Sequence, residues 1–436
     1  MGRYIPSTRD ELRAMLAEIG MNSVDELYAV VPEGLLCDNL NLPGGLSELE
    51  LDGKIRDISD KNTVFKSVFR GAGAYDHYIP SIVKRVVSKE TFVTSYTPYQ
   101  PEISQGVLQS IFEYQSMICE LMGMDASNAS VYDGATAACE GIRMCLDKKR
   151  PLALVAMSAN PMTIETIETY ADACDMEIDM VGVKDGRLDI DELKGKLSNR
   201  AGCLFLQSPN FMGLFEDVEA IKDELSRYSV KLVLAVNPIA SALYKTSGEL
   251  GADVCVAEGQ PLGMPMSFGG PYLGIMAANK AMMRKLPGRI VGRTRDDRGN
   301  AAYVLTLQAR EQHIRREKAS SNVCSNQALC AMTAAVYMSA MGPDGLRECA
   351  RQCHSKAVYL MNELSRIGFS PVYEGEFFNE FASTCPVDKG ALLESLAEKG
   401  ILGGLPVKEG ILWCATEKNA ISQIDALISA VKEALA

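Results

Sequence analysis

The stretch from Leu152 to Ala278 constrains this chain more than any other. Within it, short apolar runs alternate with amphipathic helical stretches. LALVAM (152–157), EIDMVGV (177–183), CLFLQ (203–207), KLVLAV (231–236), DVCVA (253–257) and YLGIMAA (272–278) read as strands. Between them fall a helix after Pro161, one capped by Asp189-Ile-Asp-Glu192, and one from Asp217 to Tyr228. Parallel neighbours need a crossover between them, and a sheet apolar on both faces needs helices on both sides. The pattern therefore predicts an α/β fold with a mostly parallel sheet.

The flanks read differently. Residues 1–65 hold short helical stretches: one behind Ser7, one behind the Ser23-Val-Asp-Glu26 capping box, and one from Ser47 to Ser59. They are too short and separate to make one core, so 1–65 is an expected arm. A long helix, 104–122, stops at Gly123. Helical segments at 325–341 and 344–366 are split by Gly342-Pro343. FFNEFAS (377–383), a helix from Asp388, ILWCAT (411–416) and a helix from Ala420 complete a small α+β domain. The expected division is an arm at 1–65, a large α/β domain at 66–325 and a small domain at 326–436.

Composition limits the partners. The chain has 436 residues with 44 Lys and Arg against 56 Asp and Glu, a net charge of −12. Such a chain is a poor general ligand for nucleic acid or an anionic membrane. Its 13 cysteines include no Cys-x-x-Cys pair; the nearest two, Cys349 and Cys353, stand one helical turn apart. They read as reduced, buried thiols rather than a disulfide framework. Only 3 histidines are present, which argues against a histidine-rich metal site, and no metal is expected. The opening MGRYIPSTRDELRAML lacks the apolar core of a leader, so a cytoplasmic protein is expected.

Ligands of open α/β sheets sit beyond the carboxyl ends of the strands. There the sequence places Ser208-Pro209-Asn210-Phe211, Asn237-Pro238 and Glu258-Gly259-Gln260-Pro261-Leu262-Gly263. Tyr132-Asp133-Gly134-Ala135-Thr136 opens a helix; it is either a plain cap at Asp133 or a set of N–H groups offered to an anion. Tyr96 to Gly106 packs two tyrosines, two prolines and an acid ahead of the long helix. The run from Gln308 to Lys318 is either a solvated face or an anion or subunit contact. No phosphate-binding glycine motif occurs.

GAGAYDHYIP (71–80), SYTPYQPEISQG (95–106), NASVYDGATA (128–137), EGQPLGMPMSFGGPYLG (258–274) and LTLQAREQHIRREKASSN (305–322) resemble the alpha subunits of the two-subunit glycine dehydrogenase (decarboxylating), the P-protein of the glycine cleavage system. The resemblance is dense from about residue 65 to 330 and looser at both ends. It implies a fold type I pyridoxal phosphate (PLP) enzyme working as an alpha/beta heterodimer or a dimer of such dimers. It also implies that glycine loses CO2 and its aminomethyl group passes to the lipoyl arm of the H-protein.

A PLP enzyme needs a lysine for the Schiff base and, usually, an acid beside the pyridine nitrogen. In the fold that the resemblance implies, those places are Gln260 and Asn237. Neither residue can do the work. Lys245 lies in the wrong stretch and Lys280 starts a different element. The resemblance implies that the beta subunit supplies the lysine and holds the PLP. Asn237 departs from the family, whose alpha subunits usually keep an Asp there, and Asn160-Pro161 stands where His-Pro is expected. Asp133, Gly134, Thr136, Asn237 and Gln260 are thus expected to be vestiges of a cofactor pocket. Tyr96, Tyr99, Gln100 and Glu102 are the expected contributions to the beta subunit's PLP and glycine site. Tyr75, Asp76, His77 and Tyr78 are near candidates with nothing to choose among them. Arg310, His313 and Arg315 are a second set, for interface or anion contact. A self-sufficient PLP enzyme using another lysine, and a non-enzymatic scaffold, remain the alternatives.

Overall fold

A computed structural model describes residues 7–37, 40–319, 321–323 and 325–435. The first six residues, part of the stretch read for a leader, lie outside it. The chain divides into two compact units, Met1–Val64 and Phe65–Ala436. The first holds helices α1 (Arg9–Glu18) and α2 (Glu48–Ser59), each opened by a capping box. In α1 the cap is Thr8 rather than Ser7, because Thr8 and Glu11 satisfy each other's backbone N–H groups. The box at Ser23–Glu26 does not form. Val24–Tyr28 is a 3₁₀ turn and Ser23 makes no cap bond. Glu26 instead accepts from Asn22 N–H at 3.2 Å, one residue before the place the box requires. Of α1 and α2, Leu16 alone is buried.

The second unit is built on a seven-stranded sheet: β1 (Ala126–Ser127), β2 (Leu152–Ala156), β3 (Glu177–Val181), β4 (Ala201–Gln207), β5 (Lys231–Val236), β6 (Val254–Glu258) and β7 (Gly274–Ala278), in the order β1-β7-β6-β5-β4-β2-β3. Strands β2 to β6 run parallel, whereas β7 is antiparallel to both β6 and β1. Helices α3 (Gln105–Met122), α4 (Gly134–Cys145), α5 (Pro161–Cys174), α6 (Ile190–Lys196) and α7 (Val218–Arg227) cover it.

The period-two rule assigns the faces. Cys203, Phe205 and Val233 pack with Ala137 and Ile142 of α4. Leu204, Leu206, Leu232 and Leu234 point the other way, against Leu193 of α6 and Ile221 and Leu225 of α7. Near β7, Ile275 and Ala277 meet Tyr114, Ile118 and Met122 of α3 and the apolar side of α8 (Ala328–Ser365). Gly342, at φ 63° and ψ 175°, breaks α8 next to Pro343, where the sequence separates two helices.

A hairpin, β8 (Ile290–Arg295) with β9 (Ala301–Thr306), precedes α8. Beyond it, β10 (Glu380–Ser383), β11 (Leu405–Val407) and β12 (Gly410–Cys414) form an antiparallel sheet ordered β10-β12-β11. Helices α9 (Lys389–Glu398) and α10 (Ile421–Leu435) pack with it around Trp413, whose indole N–H donates to Ser383 Oγ at 2.9 Å. Among the described residues there is no disulfide, and no helix is long and apolar enough to cross a membrane.

The end of α3 meets the 246–252 turn at backbone distance: Gly248 N–H donates to Met122 O at 3.0 Å. A Cβ on Gly248 would drive into the Gly123 carbonyl, whereas one on Gly195 in α6 meets nothing within 4 Å. Gly248→Ala is therefore expected to cost about 1–3 kcal/mol in urea unfolding. Gly195→Ala is expected to be neutral or to stabilise by up to about 1 kcal/mol.

Candidate functional site

The carboxyl ends of the parallel strands open into a cleft of 890 Å³. Asp133 and Gly134 line it from the start of α4, Asn237 from the end of β5, Glu258 from the end of β6, and Tyr75 and Glu380 from the opposite side. No lysine is among the lining residues.

Glu258 governs the floor. Its Oε2 accepts from Gly134 N–H at 2.9 Å, while Oε1 accepts from Gln260 N–H at 2.9 Å and Leu273 N–H at 3.2 Å. Burial pushes its carboxyl up to about 7, and the three N–H donors hold it back from rising further. The positive end of α4 is thus met by a carboxylate belonging to the chain itself. Asp133 completes the start of the helix by accepting from Thr136 N–H at 2.7 Å. Thr136 itself is buried behind the lining rather than facing the cleft.

Gln260 also lies behind the wall, 1% exposed. Its Oε1 accepts from Tyr75 N–H at 2.9 Å, and its Nε2 donates to Tyr75 O at 2.9 Å and Met264 O at 2.7 Å. The amide thus pairs with the Tyr75 backbone through both ends, as one strand pairs with another. Asn237 is engaged too: its Oδ1 accepts from Ile239 N–H at 2.9 Å and Ala240 N–H at 3.2 Å, closing its own turn. Asn160 caps α5 ahead of Pro161 and donates from Nδ2 to Ala72 O at 3.3 Å.

The opposite wall centres on Glu380, whose Oε1 accepts from Ala72 N–H and whose Oε2 accepts from Tyr75 Oη, both at 2.6 Å. Burial lifts this carboxyl to about 7 against those two donors. Sequence reasoning did not single out Glu258 or Glu380. The available signal was an acid at the end of one apolar strand and an acid inside another, FFNEFAS.

The other expected residues lie off the cleft. Tyr96, Gln100 and Glu102 are exposed, and Tyr99 is half-buried. Tyr99 Oη donates to Asn326 Oδ1 at 2.8 Å, and Arg289 sits 5.0 Å above its ring. Tyr96 Oη donates to Ser325 Oγ at 3.2 Å. Both tyrosines therefore brace the segment leading into α8. The charged run at 308–318 is three short turns instead of one helix face. Arg310 Nη2 donates to Gly288 O at 2.7 Å, and burial beside Arg289 lowers its guanidinium to about 10. His313 stands 3.6 Å from Glu311, and Arg315 donates to Ala309 O at 3.1 Å. These three residues make separate contacts and do not converge on one point.

The family model for the glycine cleavage system P-protein matches residues 2–431. The chain is 44% identical over 433 residues to "Probable glycine dehydrogenase (decarboxylating) subunit 1" of Syntrophomonas wolfei subsp. wolfei, covering 98% of this chain and 99% of the relative. It superposes on the crystal structure of glycine decarboxylase (P-protein) of the glycine cleavage system in inhibitor-bound form, with a TM-score of 0.94 and 38% identity, over 99% of this chain and 100% of that one. The fold alone is shared with Lactobacillus brevis glutamate decarboxylase, at a TM-score of 0.69 and 14% identity, over 95% of this chain and 96% of that one.

Glu380 gives the cleft a pH signature. Its carboxyl titrates near 7 in the fold, against an ordinary value of 4.5. A raised value favours the protonated form, so the stabilisation is complete below the unfolded value and is lost as pH climbs through the folded one. The stability of the native chain minus that of Glu380→Gln should fall by up to about 1.4 kcal/mol per unit between about pH 5 and about pH 7, and be flat above about pH 8. Urea unfolding across that range measures it; a difference that does not change with pH contradicts the assignment.

Proposed function

The chain belongs to the glycine cleavage system P-protein family, and on that premise we propose that it is the half of a glycine-decarboxylating enzyme that does not carry the cofactor. Its partner is subunit 2, which holds PLP, and the pair works in the cytoplasm. The pair takes glycine, releases CO2 and passes the aminomethyl group to the lipoyl arm of the H-protein. PLP on subunit 2 would take up the electron pair left on Cα when the bond to the carboxylate breaks.

The observation that carries this reading is Gln260. It stands where a Schiff-base lysine would be needed, has no nucleophilic amine, and spends both ends of its amide on the backbone of Tyr75 and Met264. Two further features of the cleft do not fit PLP. Asn237 closes its own turn and carries no charge for a pyridinium. The start of α4, where an anion would be drawn, is met by Glu258.

Its contribution to the shared site is assigned to Tyr96, Tyr99, Gln100 and Glu102. They sit on a lead-in tied at Ser325 and Asn326, none of them lines the chain's own cleft, and Gln100 and Glu102 are exposed. Arg310, which is turned inward, is assigned to holding the Gly288 turn; His313 and Arg315 remain available at the surface for the interface. Reconstituted with subunit 2, Tyr99→Phe and Glu102→Gln should each lower kcat/KM for glycine decarboxylation by about 10-fold or more. Unchanged rates in both variants, with the complex still formed, would remove these residues from the site.

A further inference from the structure

Behind the cleft, three distant pieces of chain bring their side chains to one point. His77 comes from the segment that carries Tyr75, Cys349 and Cys353 from successive turns of α8, and Glu417 from the loop after β12. Their donor atoms all lie within 4.8 Å of one another, the one such group of His, Cys, Asp and Glu among the described residues. We propose that His77, Cys349, Cys353 and Glu417 form a structural site for a divalent transition ion of the zinc class.

The donor atoms lie near enough to one another for one ion to bind all four after small shifts. Bonds of about 2.3 Å to sulfur and about 2.0–2.1 Å to nitrogen and oxygen put tetrahedral neighbours about 3.3–3.8 Å apart. Here His77 Nδ1 is 3.9 Å from Cys349 Sγ, and Cys353 Sγ is 3.3 Å from Glu417 Oε2. His77 Nδ1 and Glu417 Oε2 are 2.7 Å apart, a hydrogen bond that opens when the ion replaces its proton. Two thiolates, an imidazole and a carboxylate suit zinc or cobalt and disfavour calcium or magnesium, which take oxygen ligands.

Burial points the same way. His77, Cys349 and Cys353 are buried around the Glu417 carboxylate, so an ion among their donor atoms is shielded from solvent. The carboxylate is oriented from behind: Glu417 Oε1 accepts from Tyr78 N–H at 2.6 Å, and Lys356 holds the Glu417 carbonyl. Binding releases the two thiol protons and leaves His77 a neutral imidazole with its proton on Nε2, with no change of oxidation state. The ion would staple α8 and the C-terminal sheet to the 71–80 segment, two residues from the backbone that Gln260 grips.

The test uses the full chain, stripped by a chelator and titrated with Co(II), then Zn(II). One equivalent of Co(II) should give intense tetrahedral bands in the red and a thiolate charge-transfer band in the near ultraviolet, all abolished by one equivalent of Zn(II). Cys349→Ser should weaken Zn(II) binding by more than about 100-fold, while Cys37→Ser leaves it unchanged. Absence of a stoichiometric site in the native chain overturns the proposal, as does an unaltered spectrum in Cys349→Ser. If that variant does not fold, cadmium NMR of the native chain decides: a resonance in the two-thiolate range supports the site, and one in the all-oxygen range overturns it.

Discussion

Everything at the mouth of the large sheet hangs on the carboxylate of Glu258. One side chain accepts from the first turn of α4, from the loop after β6 and from the residue leading into β7. A buried carboxylate survives only where donors surround it, so its position fixes those three backbones together. The glycines around it leave no slack. A Cβ on Gly134 would sit 2.8 Å from Glu258 Cβ, and one on Gly259 would sit 2.7 Å from Leu273 Cδ2. With the start of α4 met by Glu258 and Asp133, the N–H groups of Gly134 and Thr136 are already engaged within the chain.

The same economy explains Gln260. An amide there can pair with a peptide group on both edges, which an amine cannot. The gain is a fixed 71–75 segment, which in turn presents Tyr75 and Ala72 to Glu380. In the fold, Gln260 belongs to the wall behind the cleft, tied to the backbone by both ends of its amide.

The sheet was legible because period-two apolar runs and crossover helices leave few arrangements open; KLVLAV at 231–236 is the strand found, and CLFLQ at 203–207 lies within the strand found at 201–207. The reversed direction of β7 was not legible, since an apolar run carries no direction. The Ser23 box failed because the Glu26 carboxylate takes the Asn22 N–H instead of that of Ser23. At the site, Asn237 and Gln260 were legible as neutral amides just beyond two strand ends. Their partners were not, because Tyr75 and Glu380 meet only through the tertiary fold. Histidine scarcity pointed away from a metal; the cluster around His77 draws its other three donor groups from Cys349, Cys353 and Glu417, which a count of histidines does not register.

The central claim is that this chain shapes the enzyme without holding its cofactor covalently. It is tested most directly by loading a stoichiometric complex of the two subunits with PLP, reducing it with borohydride and weighing each intact chain by mass spectrometry. The account predicts the cofactor adduct on subunit 2 alone. An adduct on this chain, at Lys245, Lys280 or any other lysine, would contradict it.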